Sequence, residues 1–186
     1  CEVYRTLKAL LDTNIIIHRE NLQATNYSIG LLFKWLDKLH YEKLVHPYSL
    51  QELRKANNST QQEIYNARLA AYTEMKSIAP QSRAFLDLLA DTPKTDNDRI
   101  DNQLLCEVYS GRVDILITED RKMRNKAERL GLTDKVFSIN GFISKCNDDN
   151  PALIEYKALA VKTETIGNID VSDTFFDSFR PDYEDF

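Results

Sequence analysis

The sequence predicts an α/β fold: a three-layer α/β/α arrangement around a central, mainly parallel sheet. Two observations lead to this prediction. Short apolar segments alternate along the chain with longer segments of helical periodicity. Acidic residues follow directly after two of the apolar segments, where the loops of an α/β protein leave the sheet. Alternation of this kind gives right-handed βαβ units, in which helices cover both faces of a parallel sheet.

Each predicted strand is a brief apolar run bounded by polar residues. The predicted strands are Leu7 to Leu11, Leu44 with Val45, Val113 to Thr118, and Val136 to Ile139. The first ends at Asp12, and the third ends just before Glu119 and Asp120. The acidic residues are therefore expected at the carboxyl ends of strands.

Apolar residues at helical spacing predict the helices. The first apolar face consists of Ile29, Leu32, Phe33, Leu36 and Leu39, with Ser28 as the expected N-cap. Further helices are predicted from Ser49 to Glu52 onward, over Gln61 to Lys76, around Phe85 to Leu89, from Thr95 to Asp98 as far as Gly111, and over Arg121 to Leu130.

The chain is expected to hold one main domain and a small extension. Its 186 residues suit a single domain of ordinary size. The polar stretch Asn147 to Pro151 is the best linker candidate, so residues 1–147 are predicted as the domain and residues 148–186 as an extension or linker toward a further domain. Beyond it, a strand-like segment from Glu155 to Thr163 precedes aromatic residues at Phe176, Phe179, Tyr183 and Phe186.

The composition narrows the function classes. The chain has 29 acidic and 24 basic residues, a formal charge of −5, so a nucleic-acid site must be local. No apolar run approaches about 18 residues, and no membrane partner is expected. Three cysteines without a CxxC pair argue against a disulfide framework or a zinc site and favour a cytoplasmic setting. No glycine-rich phosphate loop is present, which disfavours a kinase or dehydrogenase.

Five acidic residues are candidates for a catalytic site. Asp12 and Asp120 follow strands, Glu52 follows the second strand, and Asp98 and Asp101 lie one turn apart at a helix start. Each has a structural explanation alone: a turn former or N-cap for the first two, a capping box with Ser49 for Glu52, and the helix dipole for the last two.

Together, the acids point to a metal. All of them are expected to lie on the same side of the predicted sheet. Carboxylates held close together repel one another unless a cation lies between them. Mg²⁺ takes oxygen ligands, and a bound ion can activate water for phosphodiester hydrolysis. A divalent-metal site is therefore expected at this edge.

These motifs resemble the PIN-domain family over roughly Leu7 to Lys145. The likeness is carried by Leu-Leu-Asp12-Thr13-Asn14, the helix-borne Glu52, Asp101-Asn-Gln-Leu-Leu, and Ile-Leu-Ile-Thr118-Glu-Asp120-Arg-Lys-Met. PIN domains are typically Mg²⁺- or Mn²⁺-dependent ribonucleases, and many are toxins of toxin–antitoxin pairs. The resemblance implies that Asp12, Glu52, Asp101 and Asp120 bind the metal and that Asn14 and Thr118 orient them, with Asp98 competing with Asp101 as the third acid.

The resemblance also implies partners. RNA is the expected substrate, and an antitoxin protein and a second copy of the chain are expected protein partners. Residues Gly167 to Phe186 are similar to the joining segment of proteins that fuse a PIN domain to a GCN5-related acetyltransferase domain. The segment between Glu52 and Asp101 is longer than in the minimal toxins, which leaves the contact with an antitoxin open.

A basic helix next to the proposed site is the candidate RNA contact. Its basic residues are Arg121, Lys122, Arg124, Lys126 and Arg129, and Arg54 lies close after Glu52. Phosphate binding is the functional interpretation, and a solvated helix face is the alternative.

Two other function classes stay open. One is an aspartyl-phosphate enzyme with Asp12 as nucleophile, disfavoured because Asn14 stands where a phosphatase of that type has its second acid. The other is a non-catalytic PIN-like docking or RNA-binding module of a larger acetyltransferase fusion protein.

Overall fold

Five parallel strands form the central sheet. The computed structural model of the chain describes residues 5–20, 27–55, 69–90 and 93–154, without the side chains of Glu20 and residues 52–55. The strands are β1 (Lys8–Leu11), β2 (Glu42–Val45), β3 (Thr73–Glu74), β4 (Ile115–Ile117) and β5 (Val136–Phe137). They lie in the order β3-β2-β1-β4-β5, and every neighbouring pair is parallel.

Helices cover the sheet. Those described are α1 (Thr13–Glu20), α2 (Tyr27–Lys38), α3 (Pro47–Lys55), α4 (Arg83–Leu89), α5 (Asp96–Tyr109), α6 (Arg121–Arg129) and α7 (Ile139–Asp149), followed by a 3₁₀ turn at Pro151–Leu153. Helix α2 packs on α7, and α6 packs on α4 and α5. The strand order reverses at β1, so right-handed crossovers place helices on opposite faces. The predicted α/β class with a parallel sheet between helix layers is confirmed.

One large core lies between the sheet and helices α4 to α6. Leu10 and Leu116, from the two central strands, are fully buried there, as are Phe85 of α4 and Leu104 of α5. Parallel strands covered on both faces are apolar throughout rather than alternating, which is why β1 and β4 could be recognised as continuous apolar runs.

Local sequence signals set several helix ends. Helix α5 starts with a capping box, in which the Thr95 hydroxyl accepts from the Asp98 amide and the Asp98 carboxylate accepts from the Thr95 amide. Its end is followed by Gly111 at φ +69°, and α6 is followed by Gly131 at φ +68°, a left-handed conformation that favours glycine.

The predicted helix from Gln61 to Lys76 is wrong over its last residues. Thr73 and Glu74 form β3, which pairs with Leu44 and Val45 of β2. Residues 61–68 of the prediction lie outside the described residues. Burial of neighbouring side chains such as Met75, which joins the core, and pairing with β2 override the helix propensity of this segment.

Two predicted cap residues lie inside helices instead. Helix α2 begins at Tyr27, so Ser28 is within its first turn rather than at its N-cap. Helix α3 begins at Pro47, so Ser49 is its third residue. Proline is well suited to the first position of a helix, because it has no amide hydrogen to leave unpaired.

The predicted linker is largely helical. Helix α7 continues through Asp149, and the 3₁₀ turn begins at Pro151, so regular structure extends past the predicted boundary at residue 147. The predicted strand from Glu155 and the aromatic residues of the tail lie outside the described residues, and the division into two domains stays a prediction. None of the helices in the described ranges is long and apolar enough to cross a membrane.

Candidate active site

The two central strands bring Asp12 and Asp120 to one edge of the sheet. β1 and β4 are paired in register, Leu11 opposite Ile117, and the Asp12 amide extends this pairing by donating to the Ile117 carbonyl at 3.1 Å. The strand order changes direction at β1. In open α/β sheets, ligand sites form outside the carboxyl ends of the strands at such a point.

Thr118 connects these two acids. Its hydroxyl donates to Asp12 Oδ2 at 2.8 Å and accepts the Asp120 amide at 3.0 Å. Thr118 is fully buried, and Asp12 is only 6% exposed. Because a buried carboxylate needs hydrogen-bond donors, the Thr118 hydroxyl both compensates the burial of Asp12 and fixes the direction of its Oδ2.

Asp120 is the N-cap of α6. Its Oδ1 accepts from the amides of Lys122 at 2.6 Å and Met123 at 3.0 Å. The capping explanation considered from sequence therefore holds for this residue. It does not remove Asp120 from the site, since the cap holds the carboxylate in place at the mouth of the cleft.

Asp101 is the most strongly perturbed acid of the group. Burial, followed by the negative charges of Asp12 and Asp120, raises its pKa from 3.8 to about 7, and Lys126 opposes the shift. Such a rise means that the ionised form is disfavoured where the carboxylates stand together. Strongly perturbed acids of this kind concentrate at functional sites.

Asp98 has the opposite character. It accepts from the backbone amides of Lys94 and Thr95, and these bonds together with the Thr95 hydroxyl lower its pKa. Its carboxylate is occupied in the capping box. Between the two candidates for the third acid, the structure places Asp101 in the cleft and Asp98 at the helix cap.

The acids line one open cleft of about 280 Å³. Its walls are Asp12, Thr13, Asn14, Ile17, Asn97, Ile100, Asp101 and Asp120. The cleft therefore receives three of the four predicted metal-binding acids, together with Asn14, from β1, α1, α5 and the end of β4.

Glu52 and Arg54 lie on α3, and their side chains are outside the described residues. The capping-box explanation for Glu52 does not hold, because Ser49 lies within the helix. The Ser49 hydroxyl is buried and has no hydrogen-bond partner among the described side chains and backbone.

The donor set of the cleft suits a hard divalent cation. Carboxylate oxygens are the ligands that Mg²⁺ and Mn²⁺ prefer. In the described part of the chain, no three His, Cys, Asp or Glu side chains converge closely enough to hold one ion. A cation in the cleft would be bound by fewer than three of these carboxylates at once, with water filling the remaining positions, since Mg²⁺ usually keeps several waters.

The basic helix is largely engaged in the protein itself. Arg124 donates to the Thr118 carbonyl at 2.9 Å, and Arg129 to the Leu89 carbonyl at 3.3 Å. Lys126 is only 7% exposed and donates to Asn102 Oδ1 at 2.8 Å. Arg121 and Lys122 are exposed at the start of α6. The sequence alone did not distinguish these two from the basic residues that bond within the protein.

A buried polar cluster went unrecognised in the sequence. His46 is fully buried after β2, with Nε2 at 3.5 Å from Glu107 Oε1. Glu107 also accepts the Ala79 amide at 2.6 Å and faces Arg112 at 3.3 Å. Burial raises the pKa of Glu107, but its contact with His46, its bond to the Ala79 amide and the charge of Arg112 outweigh burial and lower it. Only the fold brings these distant residues together.

Comparison of the sequence with protein-family models and with curated proteins finds no match. Among solved structures, the chain is similar to PAE2754 from Pyrobaculum aerophilum, at 10% identity and a TM-score of 0.47, over 76% of this chain and 90% of that one. It is also similar to a PilT N-terminus domain protein, SSO1118, from Sulfolobus solfataricus, at 14% identity and a TM-score of 0.42, over 75% and 93% of the two chains. The fold and the site together describe an α/β protein with an acidic cleft at the point where the strand order reverses.

Proposed function

We propose that this chain is a divalent-metal-dependent nuclease that hydrolyses phosphodiester bonds of RNA at the acidic cleft. The observation that carries the proposal is the meeting of Asp12, Asp101 and Asp120 in one cleft with a raised pKa at Asp101. The PIN resemblance of the sequence motifs supports the same activity. Glu52 is proposed as the fourth acid on the resemblance alone.

The residues have distinct roles in this proposal. When bound, Mg²⁺ or Mn²⁺ supplies Lewis acidity and lowers the pKa of a bound water. Asp12, held by Thr118, and Asp120, held by the α6 amides, would present oriented oxygens to that cation. Positive charge in the cleft would favour the ionised form of Asp101, because the charges of the other two carboxylates add to burial in raising its pKa.

Substrate phosphates need positive charge at the rim, because the cleft itself is acidic. Arg121 and Lys122 are exposed immediately after Asp120. We propose that these two side chains hold the RNA backbone on either side of the scissile phosphate. Arg124 is assigned a structural role, since it is bonded to the Thr118 carbonyl.

The direct test is cleavage of a mixed RNA by the purified chain with Mn²⁺ or Mg²⁺, beside EDTA. An Asp12→Asn, Asp120→Asn double variant is expected to lose cleavage while remaining folded by circular dichroism. Asp87→Asn is the matched control, because Asp87 is an exposed carboxylate on α4, 66% accessible. Cleavage that persists in EDTA or in the double variant would refute the proposed site.

A second candidate is favoured by one observation. Because no three acidic or histidine side chains converge tightly within the described ranges, the chain also fits a non-catalytic PIN-like docking or RNA-binding module. Calorimetric titration with Mn²⁺ separates the two. A nuclease binds the ion in the wild-type protein and not in the double variant, whereas a docking module binds it in neither.

A further inference from the structure

A second cavity adjoins the acidic cleft. This side pocket, of about 500 Å³, is lined among others by Tyr48 and Gln51 of α3, Gln81, and Ile100, Asn102 and Gln103 of α5. Ile100 lines both the side pocket and the acidic cleft, so the two cavities border the same residue. The volume lies within the range of roughly 300–1,000 Å³ typical of small-molecule sites.

The side pocket has a different chemistry from the acidic cleft. Four side-chain amides, an aromatic ring and the apolar Ile100 contribute to its wall. Amides carry a donor and an acceptor side by side, which is what the hydrogen-bonding edge of a nucleobase requires. An aromatic ring offers a base a stacking surface.

Three of the four amides are hydrogen-bonded within the protein. Gln103 Nε2 donates to the Ala79 carbonyl at 2.7 Å, so its Oε1 accepts from Gln81 Nε2 at 3.1 Å. Gln81 Oε1 has no hydrogen-bond partner in the described part of the chain. Lys126 Nζ occupies Asn102 Oδ1, which leaves the Asn102 amide hydrogens for an acceptor.

The aromatic ring is held as well. The Tyr48 ring meets the ring of the buried His46 edge-on, with centroids 5.0 Å apart, and the Tyr48 amide donates to His46 Nδ1 at 3.2 Å. His46 itself is held against Glu107. The buried polar cluster thus fixes the one aromatic side chain among the pocket residues named above.

From this juxtaposition we propose that the side pocket binds one nucleobase of the RNA strand next to the scissile phosphate, Tyr48 stacking on the base and Gln81 and Asn102 reading its edge. The proposal rests on the proposed function, since it takes the acidic cleft as the place where the phosphate lies. Under this proposal, any preference of the protein for particular bases beside the cleaved bond comes from the side pocket.

The test compares two fluorescent ten-nucleotide strands, a mixed-sequence RNA and the same ribose-phosphate strand without bases. Anisotropy in EDTA measures binding without cleavage. The wild-type protein is expected to bind the intact strand at least about five-fold more tightly than the abasic one, the minimum given by one stacked base. Tyr48→Ala and Gln81→Ala are expected to reduce this preference and to leave the affinity for the abasic strand unchanged.

Two controls keep the result specific. Tyr48→Phe retains the ring and is expected to keep the preference, and Tyr27→Ala removes an aromatic side chain that is 81% exposed on α2 and is expected to change neither affinity. Equal wild-type affinity for both strands, or equal weakening of both by Tyr48→Ala, would overturn the proposal. Tighter binding of free nucleoside monophosphates than of RNA would overturn the assignment to a strand.

Cleavage with Mn²⁺, measured on the same strands, separates this inference from the proposed function. Base-dependent binding without cleavage would support the nucleobase pocket and refute the nuclease proposal. Cleavage without base-dependent binding would support the nuclease proposal and refute the nucleobase pocket.

Discussion

Replacing Asp101 by asparagine tests whether burial and the neighbouring carboxylates disfavour a negative charge at this position of the cleft. Asparagine has nearly the same shape and no charge. In the metal-free protein at neutral or alkaline pH, Asp101→Asn is expected to raise the free energy of unfolding, although it removes a residue proposed for catalysis. Gain of stability on loss of function is typical of sites where like charges are held together.

The sign and size follow from the raised pKa. The folded chain holds the Asp101 proton up to about pH 7, whereas the ordinary carboxyl loses it near 3.8. Stability therefore falls as pH rises between these two values and is constant above them. The difference corresponds to about 4 kcal/mol if fully effective. Solvent screening of a partly exposed carboxylate brings the expected gain at pH 8 to roughly 2 kcal/mol.

The assay is urea unfolding in EDTA at about pH 4, 6 and 8, for the wild type and the variant. The gain is expected to be near zero at about pH 4 and to grow until about pH 7. Asp98→Asn is the matched control one turn earlier. Its pKa is lowered by the Lys94 and Thr95 amides, so its replacement is expected to cost stability above its ordinary pKa, a loss that fades as the pH falls.

A pH-independent effect of Asp101→Asn, or a loss of stability at pH 8, would refute the reasoning. Either result would mean that Asp101 is not held in a buried site beside other carboxylates. The same titration repeated with Mn²⁺ adds a second criterion. If a cation offsets the repulsion, it is expected to raise wild-type stability and to narrow the advantage of the variant.

Three further substitutions test the supporting structure. Thr118→Val removes the donor to Asp12 Oδ2. It is expected to lower the free energy of unfolding by about 1–3 kcal/mol and to abolish most RNA cleavage. Thr118→Ser is expected to restore both, as measured by urea unfolding and a nuclease assay. Glu107→Leu leaves the buried Ala79 amide unpaired and is expected to cost about 3 kcal/mol; an unchanged unfolding midpoint would contradict the buried cluster. Gly131→Ala meets no atom within 4 Å, yet at φ +68° it is expected to cost about 1 kcal/mol, measured by thermal unfolding.

The sequence by itself determined the α/β class and the position of most strands and helices. β1 and β4 were recognisable because strands buried on both faces are continuous apolar runs. The capping box at Thr95 and Asp98 and the glycine after α6 marked helix ends through purely local chemistry. The sequence also placed Asp12 and Asp120 together, since residues that follow parallel strands share one edge of the sheet.

Other features were decided only by the tertiary structure, because they depend on contacts between residues far apart in the chain. β3 formed against a helical propensity when Thr73 and Glu74 paired with β2. The choice of Asp101 over Asp98 followed from which carboxylate faces Asp12 and Asp120 and which turns back to the helix cap. Periodicity cannot distinguish two acids one turn apart on the same helix.

The tertiary structure also decided which basic residues of α6 are buried and which are exposed. Lys126 and Arg121 are both cations in the sequence, but one is buried against Asn102 and the other is exposed. The contact between His46 and Glu107 links the end of β2 to α5, and no local sequence pattern predicts it. Local sequence sets backbone conformation and caps, whereas burial and charge pairing are properties of the assembled fold, and the acidic cleft depends on both.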